Sequence, residues 1–222
     1  MCFFKKFFFT IILSTFFIAD SFAEITYLQI LKDPTDLRLN LQYAKEQESK
    51  GRFKAVIATL ERLNALYPNN IDLKLAAAST LQGLTAQYLT KKSWEVKNHH
   101  FVLIHAASGG VGQILTQLSK FTGATVIGTV GNDYKASIAK TNGCDFVINY
   151  SNENFESKVN NYTNKHGADV IYDAVGKDTF EKGLKCLAKR GRIVSYGISS
   201  GKIDPIDGNV IPSTFMSLLP VC

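Results

Sequence analysis

The chain has 222 residues, of which 45% are apolar and 20% charged, with a net charge of +6. That composition excludes a wholly disordered or collagen-like chain, and the length suits one α/β domain with a small helical appendage better than two full domains. No basic run is longer than Lys91-Lys92 and aromatics do not interleave with positive charge, so no nucleic-acid partner is expected; the excess charge would help attract an anionic ligand. The four cysteines, Cys2, Cys144, Cys186 and Cys222, form no Cys-x-x-Cys pair, so neither a zinc site nor a disulfide framework is indicated.

Residues 1–23 read as a secretory signal peptide. Two lysines in Met1–Lys6 precede the uncharged run Phe7–Ala19, and Ser21-Phe22-Ala23 places small residues where a signal peptidase reads. The run is short for a permanent membrane span, which needs about 20 apolar residues. The alternative is an uncleaved anchor or a mis-assigned start. Export would leave an odd number of cysteines in an oxidising compartment.

Residues 33–80 read as a helical hairpin. Asp33-Pro34-Thr35-Asp36 is a helix start, and Leu37, Leu41 and Ala44 recur at helical spacing. Gly51 breaks the run. Phe53, Val56, Ile57, Leu60, Leu63 and Leu66 then trace a second amphipathic helix that Tyr67-Pro68-Asn69-Asn70 ends. Over about residues 37–70 the positions of Ala44, Gly51, Phe53, Val56, Leu60 and Pro68 resemble one tetratricopeptide repeat. A lone repeat cannot bury its own apolar face, so a hairpin packed on something else is an equal reading.

From Phe101 strands and helices alternate. Phe101–Ile104, Ala124–Val130, Asp145–Ile148, Ala168–Tyr172 and Arg192–Tyr196 are β-rich runs at near-constant spacing, with helical stretches between them. Such units predict an α/β fold: a Rossmann-type, doubly wound parallel sheet of about five strands over residues 81–206. Residues 207–222 read as an irregular tail.

The first β-α turn carries the chemistry. In Ala106-Ala107-Ser108-Gly109-Gly110-Val111-Gly112, Ala107, Gly109 and Gly112 hold the spacing of Gly-x-Gly-x-x-Gly with alanine first. Gly109 lets the backbone approach a pyrophosphate, Gly112 lets the helix pack closely on the strand, and the free amides of the helix start meet the phosphates. The alternative is a tight glycine turn without a ligand.

The end of the second strand suggests which dinucleotide binds. An NAD site places Asp or Glu about 20 residues on, to hold the ribose. Here that place falls on Gly131, which would leave room for a 2′-phosphate, and Lys135 offers a cation one turn into the next helix. Asp133 is a rival, as a helix N-cap or a ribose ligand. Tyr150 ends the third strand, where the adenosine end of the cofactor is expected.

Five ordered motifs carry a wider resemblance: Leu81–Leu89, Ala106–Gly112, Val147–Tyr150, Tyr172–Gly176 and Ser195–Gly201. Over about residues 76–206 the chain resembles NADPH:quinone oxidoreductases, the zeta-crystallin-like, zinc-free branch of the medium-chain dehydrogenase/reductases. The resemblance implies NADPH as hydride donor and a quinone or enone as acceptor. It implies that Ser108, Gly109, Gly110 and Val111 hold the pyrophosphate, with Gly112 closing the turn, and that Gly131, Lys135 and Tyr150 hold the 2′-phosphate end. Tyr196, Gly197 and Ile198 would run beside the nicotinamide, with Thr85 near it. Family members pair through the edge of this domain, which implies a homodimer. The family also carries a catalytic domain before this region and a sixth strand after Gly201. Here a signal-like segment and the hairpin stand in the first place, and Ile211–Phe215 reads poorly as the second, so a truncated product of low activity is the expectation. Export argues for a periplasmic or extracellular location and the cofactor for the cytoplasm.

Two readings from other classes stand beside this one. A non-enzymatic exported interaction protein would use the hairpin. A serine hydrolase would use Ser108 as a nucleophile elbow, but the only later histidine, His166, precedes the fourth strand.

Overall fold

The computed structural model describes residues 25–205, together with the backbone of strand residues 215–218. The expected leader 1–23 lies outside the described residues, as does the tail apart from that strand. The chain divides into two compact units, Met1–Leu81 and Gln82–Cys222.

The first unit is helical. It holds α1 (Tyr27–Lys32), α2 (Leu37–Ser49), α3 (Phe53–Leu66) and the first part of α4 (Ile71–Tyr88). Asp36 caps α2 by accepting the amide of Leu39, as the cap-rich start predicts. Gly51 turns the chain at φ +70, a backbone region that glycine enters without strain. Leu41 and Ala44 of α2 pack against Val56, Leu60 and Leu63 of α3, and Leu73 and Ala76 of α4 close the cluster. The expected two-helix hairpin is therefore a cluster of three helices. The third was hidden because α4 has no one-sided apolar stripe: Leu73 and Ala76 are buried while Ile71, Leu75 and Leu81 are exposed, with polar residues such as Asp72 and Lys74 between them. No helix among the described residues is long and apolar enough to cross a membrane.

The second unit is the α/β sheet. Its strands are β1 (Phe101–His105), β2 (Thr125–Val130), β3 (Phe146–Asn149), β4 (Ala168–Asp173), β5 (Leu187–Ser195) and β6 (Phe215–Leu218). Their order is β3-β2-β1-β4-β5-β6 and every pairing is parallel. Helices α5 (Gly110–Phe121), α6 (Asp133–Thr141), α7 (Phe155–Tyr162) and α8 (Phe180–Lys185) complete it. One face packs Val102, Ile104, Val126, Val170 and Tyr172 against Leu115 of α5 and Ala139 of α6. The other packs Leu103, Ile127, Ile148 and Ile171 against Phe155 and Val159 of α7 and Phe180 and Leu184 of α8. Burial on both faces explains why the strands read as continuous apolar runs.

Two strands correct the sequence reading. The expected sheet of about five strands is present, and a sixth, Phe215–Leu218, within the expected irregular tail, pairs with Arg192–Ser195. Strand β5 begins at Leu187, five residues early. Lys189-Arg190-Gly191 looks like a turn, and Arg190 does sit at φ +68, but the backbone resumes pairing after a register shift between Ala168 and Val170.

His105 ends β1 with its ring wholly buried. Its Nδ1 lies 2.8 Å from the Thr129 hydroxyl, and its Nε2 has no partner among the described residues. Burial holds this imidazole below its ordinary value of 6.5, with Asp173 opposing. The unfolded chain therefore takes up a proton that the folded chain refuses, so stability is present above about pH 6.5 and is lost as pH falls through that value. His100, also lowered first by burial, adds in the same direction. Unfolding followed by Trp94, the chain's single tryptophan, is expected to show a lower midpoint at about pH 5.5 than at about pH 7.5, and a shallower dependence in His105→Gln.

Candidate dinucleotide-binding site

The carboxyl ends of parallel strands leave a crevice where the chain order reverses, here between β1 and β4. The glycine turn leaves β1 at this point. Ala106, rather than the motif's first position Ala107, takes the left-handed conformation, at φ +54. Ala107 is buried and its amide bonds the carbonyl of Thr129 on β2 at 3.1 Å. The Gly109 amide donates to the Ala106 carbonyl at 2.9 Å. Gly109 is thus not a free donor, contrary to the simplest reading of the motif, and contributes by its missing side chain. Gly110, Val111 and Gly112 form the first turn of α5, and among the described residues their amides have no protein acceptor. Three consecutive free amides at the positive end of a twelve-residue helix form a cradle for an anion. A Cβ at Gly112 would collide with the Ala106 carbonyl oxygen, so that position must stay bare.

One residue the sequence reading missed is Gln82 on α4. Its side-chain amide lies where a Cβ on Gly110 would project. Thr85 is one turn further along the same helix, half-buried. Nothing in the motif marks Gln82; only the packing of α4 beside the turn does.

At the end of β2, Gly131 faces Tyr150. A Cβ there would lie 3.0 Å from the tyrosine hydroxyl. The space above Gly131 thus belongs to Tyr150, which shares this corner with a half-exposed ring. Ser151 donates its hydroxyl to the Gly131 carbonyl at 2.8 Å. The N-cap of α6 is Asn132, whose Oδ1 accepts the Lys135 amide at 2.9 Å, so Asp133 does not cap the helix. Asp133 instead accepts the Asn149 side-chain amide at 2.8 Å. Lys135 is exposed, and its ammonium pairs with no carboxylate among the described residues.

The turns after β4 and β5 are laced together. The Tyr196 amide bonds the Asp173 carbonyl at 2.8 Å, Ser199 bonds Ala174 at 3.1 Å and Ser200 bonds Val175 at 2.8 Å. A Cβ on Gly197 would lie 2.8 Å from the Ala174 carbonyl. Ile198 is left 41% exposed at the rim, while burial raises the Tyr196 hydroxyl well above the ordinary tyrosine range. Beneath, the Asp173 carboxylate is wholly buried and accepts the amides of Val175 and Gly176 and the hydroxyl of Thr179. It is a structural cap, as is Asp169, which accepts the Phe101 amide and contacts His166.

The serine-hydrolase reading fails on geometry. His166 packs beside Phe101, at the start of β1, whereas Ser108 follows the end of that strand. The two lie at opposite ends of the sheet.

Comparison with known proteins finds similar chains over the second unit. Residues 110–218 match the family described as zinc-binding dehydrogenase. A 2-haloacrylate reductase from Burkholderia sp is 46% identical over 141 residues, covering 63% of this chain and 42% of that protein. Quinone oxidoreductase 1 of Escherichia coli is 40% identical over 165 residues, covering 74% of this chain and 50% of that protein. Among solved structures, the E. coli quinone oxidoreductase complexed with NADPH superposes with TM-score 0.63 at 41% identity, over 67% of this chain and 46% of that one. The chain therefore spans about half the length of the relatives it matches.

Proposed function

We propose, from the homology of the second unit to the cofactor-binding half of quinone oxidoreductases, that this chain binds NADPH and serves an oxidoreductase acting on a quinone or related enone. The observation that carries the reading is the row of free amides at Gly110, Val111 and Gly112, closed behind by a glycine that tolerates no side chain. Such a cradle fits a pyrophosphate.

In this reading Gly110, Val111 and Gly112 hold the diphosphate with their amides, Ser108 adds its hydroxyl, and Gly109 allows close approach. Lys135 and the Tyr150 hydroxyl hold the 2′-phosphate beside Gly131. Tyr196, Gly197 and Ile198 form the nicotinamide wall, with Thr85 on the approach. The cofactor, when bound, supplies the hydride; the chain's own part is to orient it and keep water from its reactive end.

The matched family's description names zinc. No three His, Cys, Asp or Glu side chains come together among the described residues, so these residues do not fit that ion.

Lys135→Ala is expected to weaken NADPH binding roughly tenfold to hundredfold, about 1.5–3 kcal/mol for one charge-assisted contact, and to leave NADH binding unchanged. Fluorescence titration of the two cofactors checks this, and equal wild-type affinity for both would overturn the 2′-phosphate assignment. The second reading, a non-enzymatic interaction protein, rests on the helical unit and its exposed Ile71, Leu75 and Leu81. A pull-down that survives deletion of residues 101–222 would favour it.

A further inference from the structure

We infer that Gln113 and Asn142 are positioning residues that set how this chain tells a phosphorylated dinucleotide from an unphosphorylated one, by tying the glycine turn to the helix that carries Lys135. The inference rests on the cofactor reading above.

Four side-chain hydrogen bonds make the tie. Gln113 on α5 donates Nε2 to the Ser108 carbonyl at 2.9 Å. Its Oε1 accepts Asn142 Nδ2 at 3.2 Å. The same Nδ2 donates to the Ile138 carbonyl at 2.9 Å, inside α6. Asn142 Oδ1 accepts Gln117 Nε2 at 2.7 Å. The polarity of the chain has one solution: a carbonyl can only accept, so Ser108 fixes the orientation of Gln113, which fixes Asn142, which fixes Gln117. A connected network of this kind is stiff, and one reversed amide would leave two like poles facing.

Each end of the tie sits on a part of the site. At one end, the Ser108–Gly109 peptide is clamped twice, its oxygen by Gln113 and its N–H by the Ala106 carbonyl. That clamp aims the three free amides that follow. At the other end, Asn142 is the C-cap residue of α6, whose opposite end carries Lys135. Apolar grip on α6 is slight: among its side chains only Ala139 is buried, with Ala136 packed beside it. The N-terminal end of α6 is held by Asn149 on Asp133. With no partner of its own among the described residues, the Lys135 ammonium reaches only where the helix placement lets it. The Gln113–Asn142 contact therefore holds the distance between diphosphate cradle and 2′-phosphate reader.

The test is a titration of the full chain with NADPH and with NADH, for wild type, Asn142→Ala, Gln113→Met and each combined with Lys135→Ala. Thermal unfolding of every variant is measured in parallel. The expected result is that Asn142→Ala loses NADPH affinity by about tenfold and NADH affinity by less than about twofold, and that it adds nothing once Lys135 is gone. A merely structural role would lower the melting temperature and both affinities together, leaving their ratio intact. Should Asn142→Ala fail to fold, Gln113→Met, which also loosens the cradle common to both cofactors, is expected to weaken both but NADPH by several-fold more, so that the NADPH/NADH ratio still falls. An unchanged NADPH/NADH ratio in both variants, or effects additive with Lys135→Ala, overturns the inference alone. Wild-type chain that takes up neither cofactor overturns the cofactor reading and this inference with it.

Discussion

Gly112→Ala is expected to abolish cofactor binding and to destabilise the second unit by about 2–3 kcal/mol, at the upper end of the range for forcing a methyl group into packed backbone. The new Cβ would collide with the Ala106 carbonyl oxygen and approach Ala107 backbone atoms to 3.0 Å. That oxygen cannot retreat freely, because it accepts the Gly109 amide at 2.9 Å. Moving it opens the turn and swings the free amides away from one another. Two neighbouring glycines supply the contrast. A methyl group on Gly110 meets first the flexible end of Gln82, and one on Gly83, inside α4, meets nothing within 4 Å. Gly83→Ala should stabilise α4 by about 0.5–1 kcal/mol, through helix propensity. NADPH titration with chemical unfolding checks all three, and a Gly112→Ala chain that binds like wild type would remove the cradle from the argument.

Asp173→Ala is expected to cost about 3–4 kcal/mol, since a buried carboxylate bonded to several donors contributes more than a neutral acceptor and its loss strands those donors. The stranded groups are the amides of Val175 and Gly176 and the Thr179 hydroxyl. The damage should travel. Residues 196–201 are hydrogen-bonded along 173–177, so a loosened β4 turn releases Tyr196, Gly197 and Ile198 as well. Urea unfolding followed by Trp94 fluorescence gives the number, and a loss below about 1 kcal/mol would show that water replaces the carboxylate.

The sheet was legible because parallel strands buried on both faces advertise themselves. Val102-Leu103-Ile104 and Val170-Ile171-Tyr172 are unbroken apolar runs, each followed by a helix at regular spacing. Strand β6 gave no such signal. The start of β5 was hidden by Lys189-Arg190-Gly191, where a register shift keeps the strand going through a residue at positive φ. In the helical unit the two-helix hairpin was visible in its periodicity, but α4, whose apolar and polar residues are mixed around the helix, offered no single face to orient it.

The site divides in the same way. The positions of Gly109, Gly110, Val111 and Gly112 follow from local rules of turn and helix start, so the motif placed them. What the motif could not convey is long-range. The Gly109 amide is consumed by Ala106, and the space over Gly131 is filled by the Tyr150 hydroxyl across a neighbouring strand. Gln82 reaches Gly110 from a helix that precedes β1 altogether. Asn132, by contrast, was readable as a cap from its own type and place, and attention to Asp133 obscured it.

The strand order also has a consequence for how the chain emerges during synthesis. β1 lies between β2 and β4, but β4 begins only at Ala168. At roughly 5–20 residues per second, the nascent chain spends on the order of 3–13 s with one border of β1 waiting for its neighbour. That border belongs to Val102, Leu103 and Ile104, all fully buried at the end. During the wait it is an open template for pairing with another chain. The growing chain therefore carries, for those seconds, an open strand border that the finished sheet closes with β4.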